Sequence, residues 1–165
     1  MLRGFTLIEL LVVLVIIGII VSFATLAIGD DRERLVQEEA RKLAALLETA
    51  GEEATLQGRE LGLEVYRGGY RFMYIAPQEE GPAQWLVLER DWLLRPREFH
   101  GAITPQLLLE GLPQPLRAEA PERGVPQVFL LSSGERTPFV LRLTADNARI
   151  VREIAAAPLG AVQLR

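Results

Sequence analysis

The chain has 165 residues, 22 of them acidic and 18 basic, for a formal charge of −4 at pH 7. That balance offers nucleic acid no overall basic field. With no cysteine there is no disulfide, thiolate metal site or cysteine nucleophile, and the single histidine, His100, is a poor basis for a Ser-His-Asp triad or a multi-histidine metal site.

The first element is apolar. From Leu10 to Ile28 only Gly18, Ser22 and Thr25 fall outside the strongly apolar set. As a helix this stretch measures about 28 Å, close to the hydrocarbon thickness of a bilayer. Arg3 precedes it and Asp30-Asp31 follow it, so the positive-inside rule keeps the start in the cytoplasm and sends the rest across the membrane. Glu9 stands at the leading edge of this run. An unpaired carboxylate costs roughly 2.5–3.5 kcal/mol at a bilayer centre and less near an end, so Glu9 needs a partner. Ala27-Ile28-Gly29 loosely resembles a signal-peptide cleavage site, but the apolar core is longer than the usual ~7–15 residues and Glu9 interrupts it. A plain anchor leaves Glu9 unexplained, and few single domains enclose so long an apolar cylinder. Mid-helix, Gly18 costs roughly 1 kcal/mol relative to alanine; close helix packing in lipid is one reason to keep it.

After Gly29 the composition turns to Asp30-Asp31-Arg32-Glu33-Arg34. Asp30 or Asp31 is placed to cap a new helical turn, with Glu33 completing a capping box behind Asp30. These acids are also the nearest thing to a metal site, and no metal is expected. Val36, Ala40, Leu43, Leu47, Ala50 and Ala54 then recur at spacings of four and three, one apolar stripe of an amphipathic helix over about 31–57. Its alanines would let a sheet approach closely, and Glu38–Lys42 has the favourable i,i+4 order. One long helix is the economical picture, bent near Gly29 if anywhere, with its first half in lipid and its second on a sheet.

Strand signals follow. Leu61, Leu63 and Val65 alternate with Gly62, Glu64 and Tyr66, and Arg67-Gly68-Gly69 makes a turn into Tyr70–Ile75. Gln84–Glu89 is a further candidate strand. The proline-rich stretch from Pro96 to Pro126 predicts loops and short strands. Val128–Leu131, the turn Ser132-Ser133-Gly134 and Phe139–Thr144 read as the clearest hairpin. Asp146-Asn147 then turns the chain into a last strand near Arg149–Ile154.

Chemistry is sparse. Asp91, Glu98 and His100 are the only set suggesting acid–base work, in a loop-rich region where polar groups are usually solvated. Arg90-Asp91-Trp92-Leu93-Leu94-Arg95-Pro96-Arg97 mixes arginine with an aromatic, as single-stranded nucleic-acid sites do, but a strand edge with snorkelling arginines fits better. Gly68-Gly69 lacks the spaced glycines and following helix of a phosphate loop. No catalytic residue and no cofactor are expected.

Gly4-Phe5-Thr6-Leu7-Ile8-Glu9 resembles the class III signal sequence of type IV pilins and type II secretion pseudopilins: a short basic leader ending in glycine, then phenylalanine, then a glutamate at the fifth mature position before an unbroken apolar run. The resemblance implies that a prepilin peptidase cuts between Gly4 and Phe5 on the cytoplasmic side and methylates the new Phe5 amine. It divides the chain into a leader (1–4), a transmembrane and filament-core helix (5–29) and a periplasmic head (30–165). It also implies a partner for Glu9: the Phe5 amine, attracted strongly in low dielectric. Pairing between neighbouring subunits and pairing within one helix, four residues apart, both remain open. For Gly18 it implies a point of local unwinding when subunits leave the membrane.

The order of elements, α+β with a long amino-terminal helix packed on antiparallel sheets, suits a pilin-like fold. Phe129-Leu130-Leu131-Ser132-Ser133-Gly134-Glu135-Arg136-Thr137-Pro138-Phe139 resembles the penultimate hairpin of H-type minor pseudopilins of type II secretion and of the related fimbrial T-type minor pilins. A cysteine-free chain has no disulfide loop of the major-pilin kind, and no acidic loop resembles the calcium site of the major pseudopilin; both favour a minor subunit. The resemblance implies a structural, non-enzymatic subunit near the tip of the type II secretion pseudopilus, which helps export folded proteins across the outer membrane. Its partners would be other minor and major pseudopilins, the prepilin peptidase and the inner-membrane secretion platform. The alternative is a minor type IV pilin engaged in pilus assembly or DNA uptake; nucleic acid is otherwise not an expected partner.

Overall fold

In the computed structural model, residues 7–77, 81–145 and 149–165 are described, with the side chains of 23–31 excepted. A single helix, α1, runs unbroken from Leu7 to Gln57. Asp30 and Asp31 therefore lie inside a helix and cap no new one, because every backbone N–H there already has its partner one turn back. Glu33 reaches instead across to strand residue Arg152, with Oε1 accepting from Nη2 at 2.6 Å. Lys42 pairs with Glu39 at 3.5 Å, the residue next to the expected Glu38. The helix ends at Gly58, whose φ of 60° suits glycine, and Arg59 N–H donates to Ala54 O while Gly58 N–H donates to Thr55 O.

The second half of α1 is the spine of the core. Val36, Ala40, Leu43, Leu47, Ala50 and Ala54, the expected stripe, have no exposed surface, and Leu46 joins them. Removing each such leucine from water is worth roughly 1.5–3 kcal/mol. This face packs on two sheets at once.

The first sheet contains β1 (Leu61–Tyr66), β2 (Gly69–Ala76), β3 (Gln84–Val87), β4 (Arg97–Glu98) and β7 (Val128–Leu130). β1 and β2 form the expected hairpin, Tyr66 opposite Gly69. β3 pairs with the far end of β2 and β4 with its start, while β7 flanks β1. Gly69 has to be glycine: a Cβ there would fall 2.2 Å from the carbonyl oxygen of Arg97 on β4. The second sheet runs β10-β9-β8-β5-β6, all antiparallel, from β5 (Thr104–Leu109), β6 (Leu112–Pro113), β8 (Phe139–Ala145), β9 (Ile150–Ala156) and β10 (Gln163–Leu164). Along β8, Phe139, Leu141, Leu143 and Ala145 point inward and alternate with half-exposed residues. Asp146-Asn147, expected to turn the chain, lie outside the described residues.

The expected hairpin of Val128–Leu131 with Phe139–Thr144 is not formed. Its turn closes a short ladder, with Leu130 bridged to Arg136, Leu131 N–H donating to Glu135 O, and Thr137 N–H donating to Phe129 O. Pro138 has no N–H to extend that ladder, and the chain crosses there into the second sheet, so β7 and β8 belong to different sheets.

β1 departs from alternation, since Gly62 and Glu64 are buried along with Leu61, Leu63 and Val65. The proline-rich segment after β6 lies over the outer face of the first sheet and covers them. Glu64 and Arg71 stand opposite each other on β1 and β2, joined at 2.6 Å, and Arg71 Nη2 donates to Pro121 O at 2.6 Å. The Gln127 side-chain amide stands in for a strand neighbour, its Oε1 accepting from Val65 N–H and its Nε2 donating to Val65 O. We expect Glu64→Gln, which strands a buried guanidinium, to cost about 3–5 kcal/mol in urea unfolding. The double replacement Glu64→Leu with Arg71→Met should cost far less, and equal losses in both would show that the pair is not coupled.

Tyr70 provides a second test. Its ring packs on Phe72 and Phe99, and its hydroxyl donates to Glu39 Oε1 at 3.3 Å. Burial, then the Glu39 charge, push its pKa well above the ordinary 10.0 against a smaller opposing effect of Arg97. A phenol whose folded pKa is raised holds its proton more tightly in the native state, so stability is complete below pH 10 and falls as pH rises above it. Tyr70→Phe should flatten the alkaline limb of a stability–pH profile measured between pH 8 and 11; an unchanged limb would place the loss elsewhere.

Candidate assembly surface

The feature that needs a function is the first half of α1. Leu7, Ile8, Leu10–Ile17 and Ile19–Val21 project from the helix with at least 44% of their surface exposed. No described part of the head covers them. A contiguous apolar surface of this size marks an interaction with membrane or protein. Among the described residues no helix is long and apolar enough to cross a membrane; the described side chains of the run stop at Ser22.

Glu9 is exposed on this stem. From Leu7 to Asp31 the sequence contains no lysine, arginine or histidine, so one turn of helix in either direction offers it only apolar neighbours within that span. Gly4 and Phe5 lie outside the described residues. At Gly18 the helix is continuous and nothing approaches within 4 Å of where a Cβ would stand, while Ser22 Oγ donates to Gly18 O at 2.8 Å. That bond adds a second donor to the carbonyl of a stem residue that has no side chain.

The other candidates disperse. Asp91 Oδ1 accepts from Leu93 N–H at 2.8 Å and Leu94 N–H at 2.7 Å, which makes it the organiser of a turn. His100 Nδ1 accepts from Ala102 N–H in its own loop, and Glu98 lies on β4. The three share no hydrogen bond. Among the described residues no group of three or more His, Asp or Glu side chains is placed to hold a metal ion. The arginine-rich stretch is a run of turns rather than the expected strand edge, because the Asp91 turn folds Leu94 into the core and leaves only Arg97-Glu98 to pair. Trp92 is left 82% exposed.

A site that the sequence reading missed lies at the far end of α1. A cavity of about 440 Å³ is lined by Glu48, Gly51, Glu52, Thr55, Leu56, Gly134 and Arg136. Glu48 Oε1 accepts from Val162 N–H, and its Oε2 lies 3.5 Å from Arg136 Nη2. The only sequence signal was Leu56, an apolar residue off the buried stripe.

Comparison with known proteins gives these surfaces a context. A family model described as the prokaryotic N-terminal methylation motif matches residues 3–25, and one described as type II transport protein GspH matches residues 39–160. The chain is similar to type II secretion system protein H of Aeromonas hydrophila, 32% identical over 98% of this chain and 92% of that one. It is likewise similar to type II secretion system protein H of Pseudomonas aeruginosa, 38% identical over 86% and 82%. Its fold resembles the crystal structure of the minor pseudopilin EpsH of Vibrio cholerae, with a TM-score of 0.66 and 23% identity over 80% of this chain and 94% of that one.

Proposed function

The chain belongs to the type II transport protein GspH family, and on that premise we propose that it serves as a minor pseudopilin, a structural subunit assembling near the tip of the secretion pseudopilus. The observation that carries the proposal is the apolar stem, exposed on the same unbroken helix whose second half is the core of the head. In the inner membrane the stem faces lipid, with its start cytoplasmic and the head periplasmic. In the filament it faces the stems of other minor and major pseudopilins. The work is assembly rather than catalysis, and it draws on close van der Waals packing and polar pairing among helices, since lipid is already as apolar as the stems.

The leader, residues 1–4, is removed by a prepilin peptidase between Gly4 and Phe5, and the Phe5 amine is methylated. The match of the methylation motif to residues 3–25 supports this. The new cation is the counter-charge that the stem's own sequence withholds from Glu9, and pairing between subunits sets the register in which stems pack at the inner-membrane platform. Gly4→Val should leave full-length precursor in the membrane when prepilin peptidase is co-expressed, and loss of the four-residue leader at wild-type extent, read by mass spectrometry, would contradict the processing step.

Glu9→Leu separates insertion from assembly. It removes a charge costly to lipid, so insertion should equal or exceed wild type, and cleavage should continue because Gly4 and Phe5 are intact. Crosslinking to the other minor subunits should fall, since a buried amine without its counter-charge loses on the order of 3–5 kcal/mol. Glu9→Asp should be partly defective, keeping the charge but losing reach. Wild-type crosslinking by processed Glu9→Leu would overturn the pairing.

A further inference from the structure

The cavity at the far end of α1 has the makings of a second contact, separate from the stem. Glu9 and Leu56 are about 70 Å of helix apart. The cavity lies between the last turns of α1 and the Ser132–Arg136 turn, and two glycines, Gly51 and Gly134, keep its walls low. Leu56 stands at its rim with 86% of its surface exposed, more than any other large apolar side chain described in the head.

Arg59 and Arg97 each bury one unpartnered guanidinium nitrogen but donate from another, to Glu53 at 2.7 Å and to Leu93 O at 3.0 Å; Arg136 is worse served. Its side chain is only 8% exposed, its Nη1 is buried with no hydrogen-bond partner among the described residues, and its Nη2 reaches only Glu48, at 3.5 Å. Buried guanidinium groups are normally satisfied by acceptors in good geometry. This one lines a cavity and lacks them, which points to an acceptor that arrives from outside. The electrostatics say what kind. Glu48 and Glu52 on the helix side outnumber Arg136, so an acidic side chain entering here would meet net repulsion. A peptide carbonyl has the acceptor oxygen without the charge, and Leu56 with the Gly51 backbone offers apolar surface to the side chains beside it.

We propose that this cavity receives an apolar, non-acidic peptide segment of a neighbouring pseudopilin, whose main-chain carbonyl oxygens accept from Arg136. The proposal rests on the pseudopilin reading above, for which it names a contact on the head. It predicts an unusual signature. Because the unoccupied chain buries a poorly satisfied cation, Arg136→Met should leave the thermal midpoint of the full-length protein unchanged or raise it, while weakening the contact by about tenfold. A merely structural arginine would give the opposite, a lowered midpoint.

The experiment places the photo-crosslinking residue p-benzoylphenylalanine at Leu56, at Trp92 as a surface control, and at Leu14 on the stem, in the full-length chain expressed with its complete secretion system. Crosslinked peptides are identified by mass spectrometry. The expected result is that Leu56 captures an apolar, non-acidic segment of another pseudopilin, that Trp92 does not, and that Arg136→Met cuts the Leu56 yield about tenfold without lowering the midpoint. Leu56→Glu, at an exposed position that folding tolerates, should reduce secretion to the same degree. Capture through Leu14 but not Leu56 would overturn the cavity proposal and leave the subunit reading standing. Capture through neither would overturn both. Equal capture from Trp92, an acidic segment at Leu56, or a lowered midpoint in Arg136→Met would each overturn the proposal for the cavity alone.

Discussion

The closeness with which α1 lies on two sheets is the constraint from which the rest follows. A helix that carried leucine at every inward position would hold the sheets too far off to share one core. Ala40, Ala50 and Ala54 bring its backbone down onto strands, while Val36, Leu43 and Leu47 fill the space between. The helix therefore touches β1 and β7 of one sheet and β8, β9 and β10 of the other, and the sheets need no strand in common. The crossing at Pro138 is the price of that arrangement: the chain leaves the β1 neighbourhood where a proline stops the ladder and re-enters beside β5. Glu48 then ties the carboxy-terminal segment to the helix by accepting from Val162 N–H, and Glu33 does the same lower down through Arg152.

Much of this was legible because local signals and tertiary packing agree. The alanine–leucine stripe has one period over five turns and an identical buried face. The Arg67-Gly68 turn joins two apolar runs adjacent in sequence, and they pair with each other from Leu61 opposite Tyr74 to Tyr66 opposite Gly69. Alternation along β8 is clean because only one face of the second sheet meets the core. What was not legible depended on partners distant in sequence. Gly62 and Glu64 read as solvent-facing, and only the segment around Pro121 to Gln127, some sixty residues on, makes them interior. The β7–β8 hairpin misled for a related reason: two apolar runs about a Ser-Ser-Gly turn satisfy every local rule, and the sheet each joins is decided by β1 and β5. Capping at Asp30 failed because a cap is needed only where a helix begins, and here the preceding turns were already helical.

The residues proposed to act in assembly divide in the same way. Glu9 was conspicuous because its surroundings are so uniform that any charge is an exception. The Arg136 cavity was invisible, since an arginine after a turn ordinarily lies in solvent and only its burial makes this one unusual. Sequence shows charge. It does not show solvation.

An unbroken α1 also decides how the two ends of the molecule relate. Were residues 30 and 31 a flexible joint, the stem could pack in any register without consequence for the head. Helical backbone from Leu7 to Gln57 removes that freedom. Each residue of slip along a neighbouring stem moves a subunit about 1.5 Å along the axis and changes the facing side by about 100°. On the proposed pairing, a single polar contact near Glu9 would fix more than a local pair: it would select which face of the head, tens of ångströms away, is presented to the next subunit. Apolar stems alone cannot do this, because one leucine surface slides on another with little change in energy, whereas a buried charge tolerates one position only. The carboxylate that looks misplaced in an apolar helix is in this view the one residue there capable of specifying an arrangement.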